Sequence, residues 1–215
     1  MPGGVELIAI QYPGREDRIG EPLVDDMDIL VAEIAADLAP FTDRPYVVFG
    51  HSMGSSVAFE TICAMREQGT PLPERLVVSG RRAPDRFLGG DVHRQGTEGL
   101  RRELDRLGGT PQEVLADPEM AAVVLQYVGN DYRLIERHHP VARPPLDCPV
   151  TVVLAADDPE LGAEHAGDWH ALAQGGDVVE LPGNHFYLVP HRDQLLAAIT
   201  ARMDPALVRA AAAGP

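Results

Sequence analysis

The sequence predicts an α/β fold, a mostly parallel sheet with helices on both faces and a helical insertion, and three observations point there. Short apolar runs at 46–50, 75–80, 149–155 and 177–181 alternate with amphipathic segments, the pattern of strands covered on both sides. The first of them runs into Gly50-His51-Ser52-Met53-Gly54 and then into a helical pattern. From Arg81 to about Pro145 the alternation stops, and only helical periodicity remains.

Taken in order, VELIAIQ (5–11) is a short apolar run ended by Pro13-Gly14, which predicts a buried strand and a turn. Residues 26–39 place Met27, Leu30, Ile34 and Leu38 on one helical face behind an acidic first turn. YVVFG (46–50) is the next strand, 56–68 a helix stopped by Gly69 and Pro71, and RLVVSG (75–80) another strand. Helices are expected near 97–107, 111–116 and 118–137. The strand PVTVVLA (149–155), a helix near 163–174, the strand DVVEL (177–181) and a helix near 190–202 complete the pattern. The domain reading is therefore a core over 1–80 and 146–203, a helical lid over 81–145, and a frayed tail over 204–215.

Composition narrows the function. The net charge of −15 argues against nucleic acid, because phosphate binding needs a basic face. No apolar run approaches bilayer length and no signal pattern opens the chain. Cys63 and Cys148 make no disulfide framework, so a reducing cytoplasm is expected, with both thiols as packing residues. A monomer is the default expectation. All eighteen basic residues are Arg, and seven of them lie between Arg81 and Arg106 against five acids. That segment reads first as a solvated helix face, and second as a landing site for an acidic partner.

Chemistry is concentrated around Ser52. A strand, a sharp turn at serine and a helix form a nucleophile elbow, which lifts the hydroxyl above the sheet. Gly50 and Gly54 are expected to be required because a side chain at either would collide across the turn. A phosphate-binding turn is the competing reading, but the chain has no lysine and no G-x-x-x-x-G-K-[ST]. A serine needs a base, and the base an orienting acid. The strand at 149–155 ends in Asp157-Asp158-Pro159, and the strand at 177–181 runs into Gly183-Asn184-His185. His185 is the expected base, with Asp158 favoured over Asp157 by its place before proline. His51 adjoins the nucleophile and should shape its surroundings. His138, His139, His165 and His170 are not placed for catalysis, and no spacing suggests a metal site.

The elements QYPGRE (11–16), FGHSMG (49–54), SGRRAP (79–84), LGGTP (107–111), DCPVTVV (147–153), DDPE (157–160) and GNHFYL (183–188) together resemble the type II, editing thioesterases of polyketide and nonribosomal peptide synthases. The resemblance runs from Val5 to about Ile199. It implies the α/β-hydrolase fold, with Ser52 as nucleophile, His185 as general base, Asp158 as orienting acid, and 81–145 as lid. It implies an acyl or peptidyl carrier protein, bearing an acyl-phosphopantetheine thioester, as substrate and partner, with no cofactor. Arg81, Arg82, Arg101 and Arg102 are then candidate carrier-protein contacts.

Two departures stand out. The Gly-Asp-x-Asp of the family reads Ala155-Ala156-Asp157-Asp158 here, and only MPGG precedes VELIAIQ, where the family has a further strand and a glycine-rich loop. The resemblance therefore implies that the first family strand is absent, leaving Met53 N–H as one oxyanion donor without its partner. Three explanations are weighed: a start lying further upstream, which is favoured; a true truncation; or direct pairing of 5–11 with the strand that leads to Ser52. The alternatives in function are a general esterase or acyltransferase with the same triad, and a catalytically impaired binding protein that keeps the hydrolase shape.

Overall fold

Why the chain folds as it does is legible in the parity of its strands. The computed structural model describes residues 5–86 and 89–204. Within them α1 (Met27–Leu38) is capped by Asp26, whose carboxylate accepts the N–H groups of Asp28 and Ile29. Strand β1 (Val47–His51) leads to α2 (Met53–Glu67), followed by β2 (Arg75–Ser79). Helices α3 (Gly96–Leu107), α4 (Gln112–Ala116) and α5 (Pro118–Arg137) form the block without strands. Strand β3 (Val150–Ala155), α6 (Ala166–Ala171), β4 (Gly176–Leu181) and α7 (Arg192–Thr200) complete the order.

The four strands are parallel in the order β1-β2-β3-β4. Successive side chains leave opposite faces of a strand. Leu76, Val78, Val150, Val152 and Leu154 pack with Phe59, Ile62 and Cys63 of α2 and Trp169 of α6 on one face. Val77, Val153 and Ala155 pack with Tyr187 and with Leu195 of α7 on the other. The central strands β2 and β3 are thus covered on both sides, which is why they read as apolar runs, whereas the edge strand β4 carries Asp177 and Glu180 and leaves Val178 40% exposed. Cys63 and Cys148 are buried in the first of these layers, and burial pushes the Cys63 thiol up to about 11.

One element is corrected. Residues 5–11 are not a strand: they are irregular, with Leu7 70% exposed and Ile8 and Ile10 near 40%. A strand exists only through its ladder, and this run pairs with no strand among the described residues, nor does it join β1. Its apolar side chains consequently find no sheet face to cover. The helix expected near 163–174 is shorter, a 3-10 turn at Ala163–His165 followed by α6. The helix expected from 56 instead opens at Met53, directly after Ser52. The tail at 205–215 and residues 1–4 lie outside the described residues.

The helical block has a small core of its own, Leu100, Leu104, Leu115, Ala121 and Leu125. Its longest helix also belongs to the main body, since Leu134 and Ile135 of α5 pack with α1 and α2. Polar ties hold that helix further: Arg15 forks onto Asp131, Asn130 donates to the Val24 carbonyl, and the buried Glu136 accepts the N–H groups of Val92 and His93. Beyond α5, the buried Glu60 of α2 pairs with His138 (2.9 Å) and Arg143 (2.6 Å), strapping the return segment to the core.

Candidate active site

The turn between β1 and α2 holds Ser52 at φ 52°, ψ −125°, a conformation L-residues rarely adopt. The strain persists because neighbours determine the turn. Ser52 N–H donates to the Ser79 carbonyl (2.8 Å), and the buried Ser55 hydroxyl lies within hydrogen-bond reach of the Gly50 and Ser79 carbonyls. A Cβ at Gly50 would overlap the Gly54 carbonyl, so glycine is required there. Gly54 differs from expectation: a Cβ at that position meets nothing within 4 Å, because α2 has already carried the backbone clear of the turn. Met53 N–H opens α2, where the first N–H groups have no carbonyl one turn back to bind.

The acid and the imidazole come from the ends of β3 and β4. Asp158 follows β3 and His185 lies on the loop after β4. His185 Nδ1 donates to both Asp158 oxygens, at 3.0 and 3.1 Å, and both side chains are almost wholly buried. Burial pushes the Asp158 carboxyl up. The bonds from His185 and from Glu160 N–H (2.9 Å) more than offset this and hold it below the usual carboxylate range. Asp157 is exposed, its N–H bound to the Gly183 carbonyl, so the altered Ala155-Ala156 flank still delivers the second aspartate to the histidine. Ser52, Asp158 and His185 thus all stand at the C-terminal ends of parallel strands, where ligands bind in open α/β sheets. Ser52 Oγ makes no hydrogen bond among the described residues, and catalytic bonds of this type commonly tighten only with substrate present.

His51 packs behind this pair. Its ring centroid is 4.7 Å from that of His185, and its Nδ1 is 2.7 Å from Ser79 Oγ. The other histidines are engaged elsewhere, His138 with Glu60, His165 with the Gly162 N–H and His170 near the Asp177 carbonyl. The four arginines singled out in the sequence do not form one surface. Arg81 is buried (7% exposed), Arg82 is half-buried, Arg101 donates to the Leu115 carbonyl inside the helical block, and Arg102 is exposed.

Several residues at the site escaped the sequence reading. Ser55 shapes the elbow with nothing in its local pattern to mark it, whereas Ser79 and Gly80, which shape the elbow and the imidazole pair, lie in the SGRRAP element without a role assigned to them there. Arg15 and Asp131, 116 positions apart, form an ion pair beside Tyr12, Leu30, Met53 and Leu134. The QYPGRE segment carried a signal for Arg15, but its partner on α5 could not be read from periodicity.

The family model described as Thioesterase domain matches residues 1–203. The probable cadicidin biosynthesis thioesterase of Streptomyces griseus is 36% identical over 203 residues, covering 94% of this chain. The chain spans 56% of that relative's length. Among solved structures, the RedJ thioesterase from the prodiginine biosynthetic pathway of Streptomyces coelicolor aligns with TM-score 0.81 and 38% identity, covering 88% of this chain and 76% of that one. The type II thioesterase BorB from the borrelidin biosynthetic cluster aligns with TM-score 0.80 and 36% identity, covering 90% and 79%. No helix of the described residues is long and apolar enough to cross a membrane.

Proposed function

Given that the chain belongs to the thioesterase domain family, we propose that it is a serine thioesterase that removes acyl groups from the phosphopantetheine arm of carrier proteins. The observation that carries the reading is the convergence of a strained Ser52 with a buried Asp158–His185 pair at the ends of three parallel strands. Relatives of this kind belong to polyketide and related biosynthetic clusters, which supports an acyl or peptidyl carrier protein as the source of the thioester.

In this reading Ser52 Oγ attacks the thioester carbonyl while His185 Nε2 takes its proton. Asp158 holds the Nδ1–H tautomer and stabilises the imidazolium that forms. Met53 N–H donates to the carbonyl oxygen as it gains charge. His185 protonates the leaving thiolate, releasing pantetheine thiol and acyl-serine. Water attacks the ester with the same base, returning Ser52 and freeing the acid. No step calls on a metal or organic cofactor.

The test is labelling by a fluorophosphonate, with Ser52→Ala as control, beside rates on matched acyl thioesters and oxygen esters. Labelling at Ser52 with preference for the thioester is expected. Preference for the oxygen ester would instead favour a general esterase. Absence of labelling, with binding of acyl carrier protein intact, would favour the binding-protein reading. Docking is tested separately through Arg102, the exposed member of the four arginines: Arg102→Glu should slow turnover of an acidic acyl carrier protein and leave a small thioester unaffected. Equal loss on both substrates would remove Arg102 from the docking surface.

A further inference from the structure

Helix α3 of the helical block ends against both loops that carry the proposed acid and base. Gly108 terminates it in the left-handed conformation (φ 73°), as a C-terminal glycine does, and its carbonyl accepts a bond from Asn184 Nδ2 (3.3 Å). Gly109 has no such backbone reason to be glycine. A Cβ there would overlap the ring of Phe186, the residue after His185. The Phe186 ring meets the His185 imidazole edge to face, with centroids 5.2 Å apart and planes at 87°. One turn back, Arg106 bridges Glu103 of its own helix and Glu160. Glu160 is the residue whose N–H binds Asp158. Asn184, Phe186 and Glu160 therefore flank His185 and Asp158 and also meet Gly108, Gly109 and Arg106 at the end of this segment.

From these contacts we infer that the 106–109 end of α3 is a positioning element for the Asp158–His185 pair, with Gly109 seating Phe186 against His185 and Arg106 holding Glu160 at Asp158. The inference rests on the triad assignment above and adds a role for the helical block beyond covering the site. Seating the block and aligning the base become one event, because a shift of the helix end moves both loops. A misplacement of about 1 Å in a reacting group can cost on the order of 100-fold in rate.

The experiment uses the full chain with Gly109→Ala, the double variant Gly109→Ala/Phe186→Leu, and Glu160→Gln. Activity on a small acyl-cysteamine thioester is read as kcat and KM separately. The His185 Nδ1 proton is followed by NMR, a readout that does not need turnover. Gly109→Ala should lower kcat by about 10- to 100-fold with KM unchanged, and shift or broaden the Nδ1 proton line. Phe186→Leu in that background restores room for the methyl but removes the ring that rests on His185, so it should recover only part of kcat. Glu160→Gln should reproduce the loss without the steric component. Unchanged kcat and an unchanged proton line in Gly109→Ala would overturn the inference, as would a pure KM effect with no rescue. If the parent chain does not hydrolyse thioesters, the functional reading fails by itself. The proton line then still decides whether α3 positions the pair.

Discussion

His51 and His185 face each other across Gly80, with ring centroids 4.7 Å apart and only a glycine between their Cε1 atoms and the backbone of that turn. A Cβ at Gly80 would lie 2.6 Å from the His51 Cε1 and 3.0 Å from the His185 Cε1. Two imidazoles so close in a buried site cannot both be charged. Burial, then the neighbouring His185, lowers the His51 pKa to about 3, and its Nε2 has no hydrogen-bond partner among the described residues to receive a proton's charge. His51 is therefore a neutral wall against which the proposed base rests.

This neutrality has a signature in acid. Unfolded, the group titrates at its ordinary 6.5; folded, at about 3. Between those values the unfolded chain holds a proton that the folded chain lacks, so stability falls as pH falls, by up to about 1.4 kcal/mol per pH unit from this one group. Replacing His51 by Gln should flatten the stability curve between pH 6.5 and 3. Urea unfolding of both proteins across that range measures it, and parallel curves would place the acid-sensitive group elsewhere.

Backbone strain at Ser52 predicts a separation of stability from activity. Ser52→Ala and Ser52→Gly both remove the hydroxyl and should abolish fluorophosphonate labelling. Only glycine relieves the φ of 52°, so Ser52→Gly should be the more stable of the two by about 1–3 kcal/mol, less what glycine costs in chain entropy. Equal midpoints in denaturant would mean that the elbow stores no strain.

Glu60 is buried at 4% exposure between His138 and Arg143, away from the proposed triad. Removing Glu60 leaves the His138 imidazole without its partner while Arg143 keeps Glu67, so Glu60→Ala should destabilise the protein by about 1–3 kcal/mol. The construction predicts that limited proteolysis will then cut first in the 138–145 strap. A midpoint shift without new cleavage there would show that the strap is held by other contacts, such as Arg66 to the Pro144 and Pro145 carbonyls.

The fork of Arg15 onto Asp131 (2.9 and 2.5 Å) lies under Tyr12 and Tyr127, beside Met53. Asp131→Asn keeps the shape and removes the charge. It should cost about 1.5–3 kcal/mol, as expected for bonds to charged groups, and loosen α5 from the 12–18 loop. Hydrogen exchange at α5 amides, faster than in the parent, is the confirming measurement.

The sequence by itself determined the layered α/β architecture, because central strands covered on both faces must be apolar, as 75–80 and 149–155 are, while apolar runs alternating with helical segments mark the other two. It also located the strained strand–serine–helix turn at Ser52, since Gly50 admits no side chain and that order is local. The order of Asp158 and His185 behind two later strands was visible for the same reason. Tertiary structure alone decided the rest. Residues 5–11 read as a strand, but apolarity does not make a ladder, and they pair with no strand among the described residues. Arg81 looked like surface charge until the fold buried it, and Gly54 looked obligatory until α2 turned its missing side chain into open space. Asp131, Glu160, Gly109 and Phe186 matter through partners 54 to 116 positions away in the chain. Local pattern reports what a residue can do with its neighbours in sequence; only packing reveals what it meets across the fold.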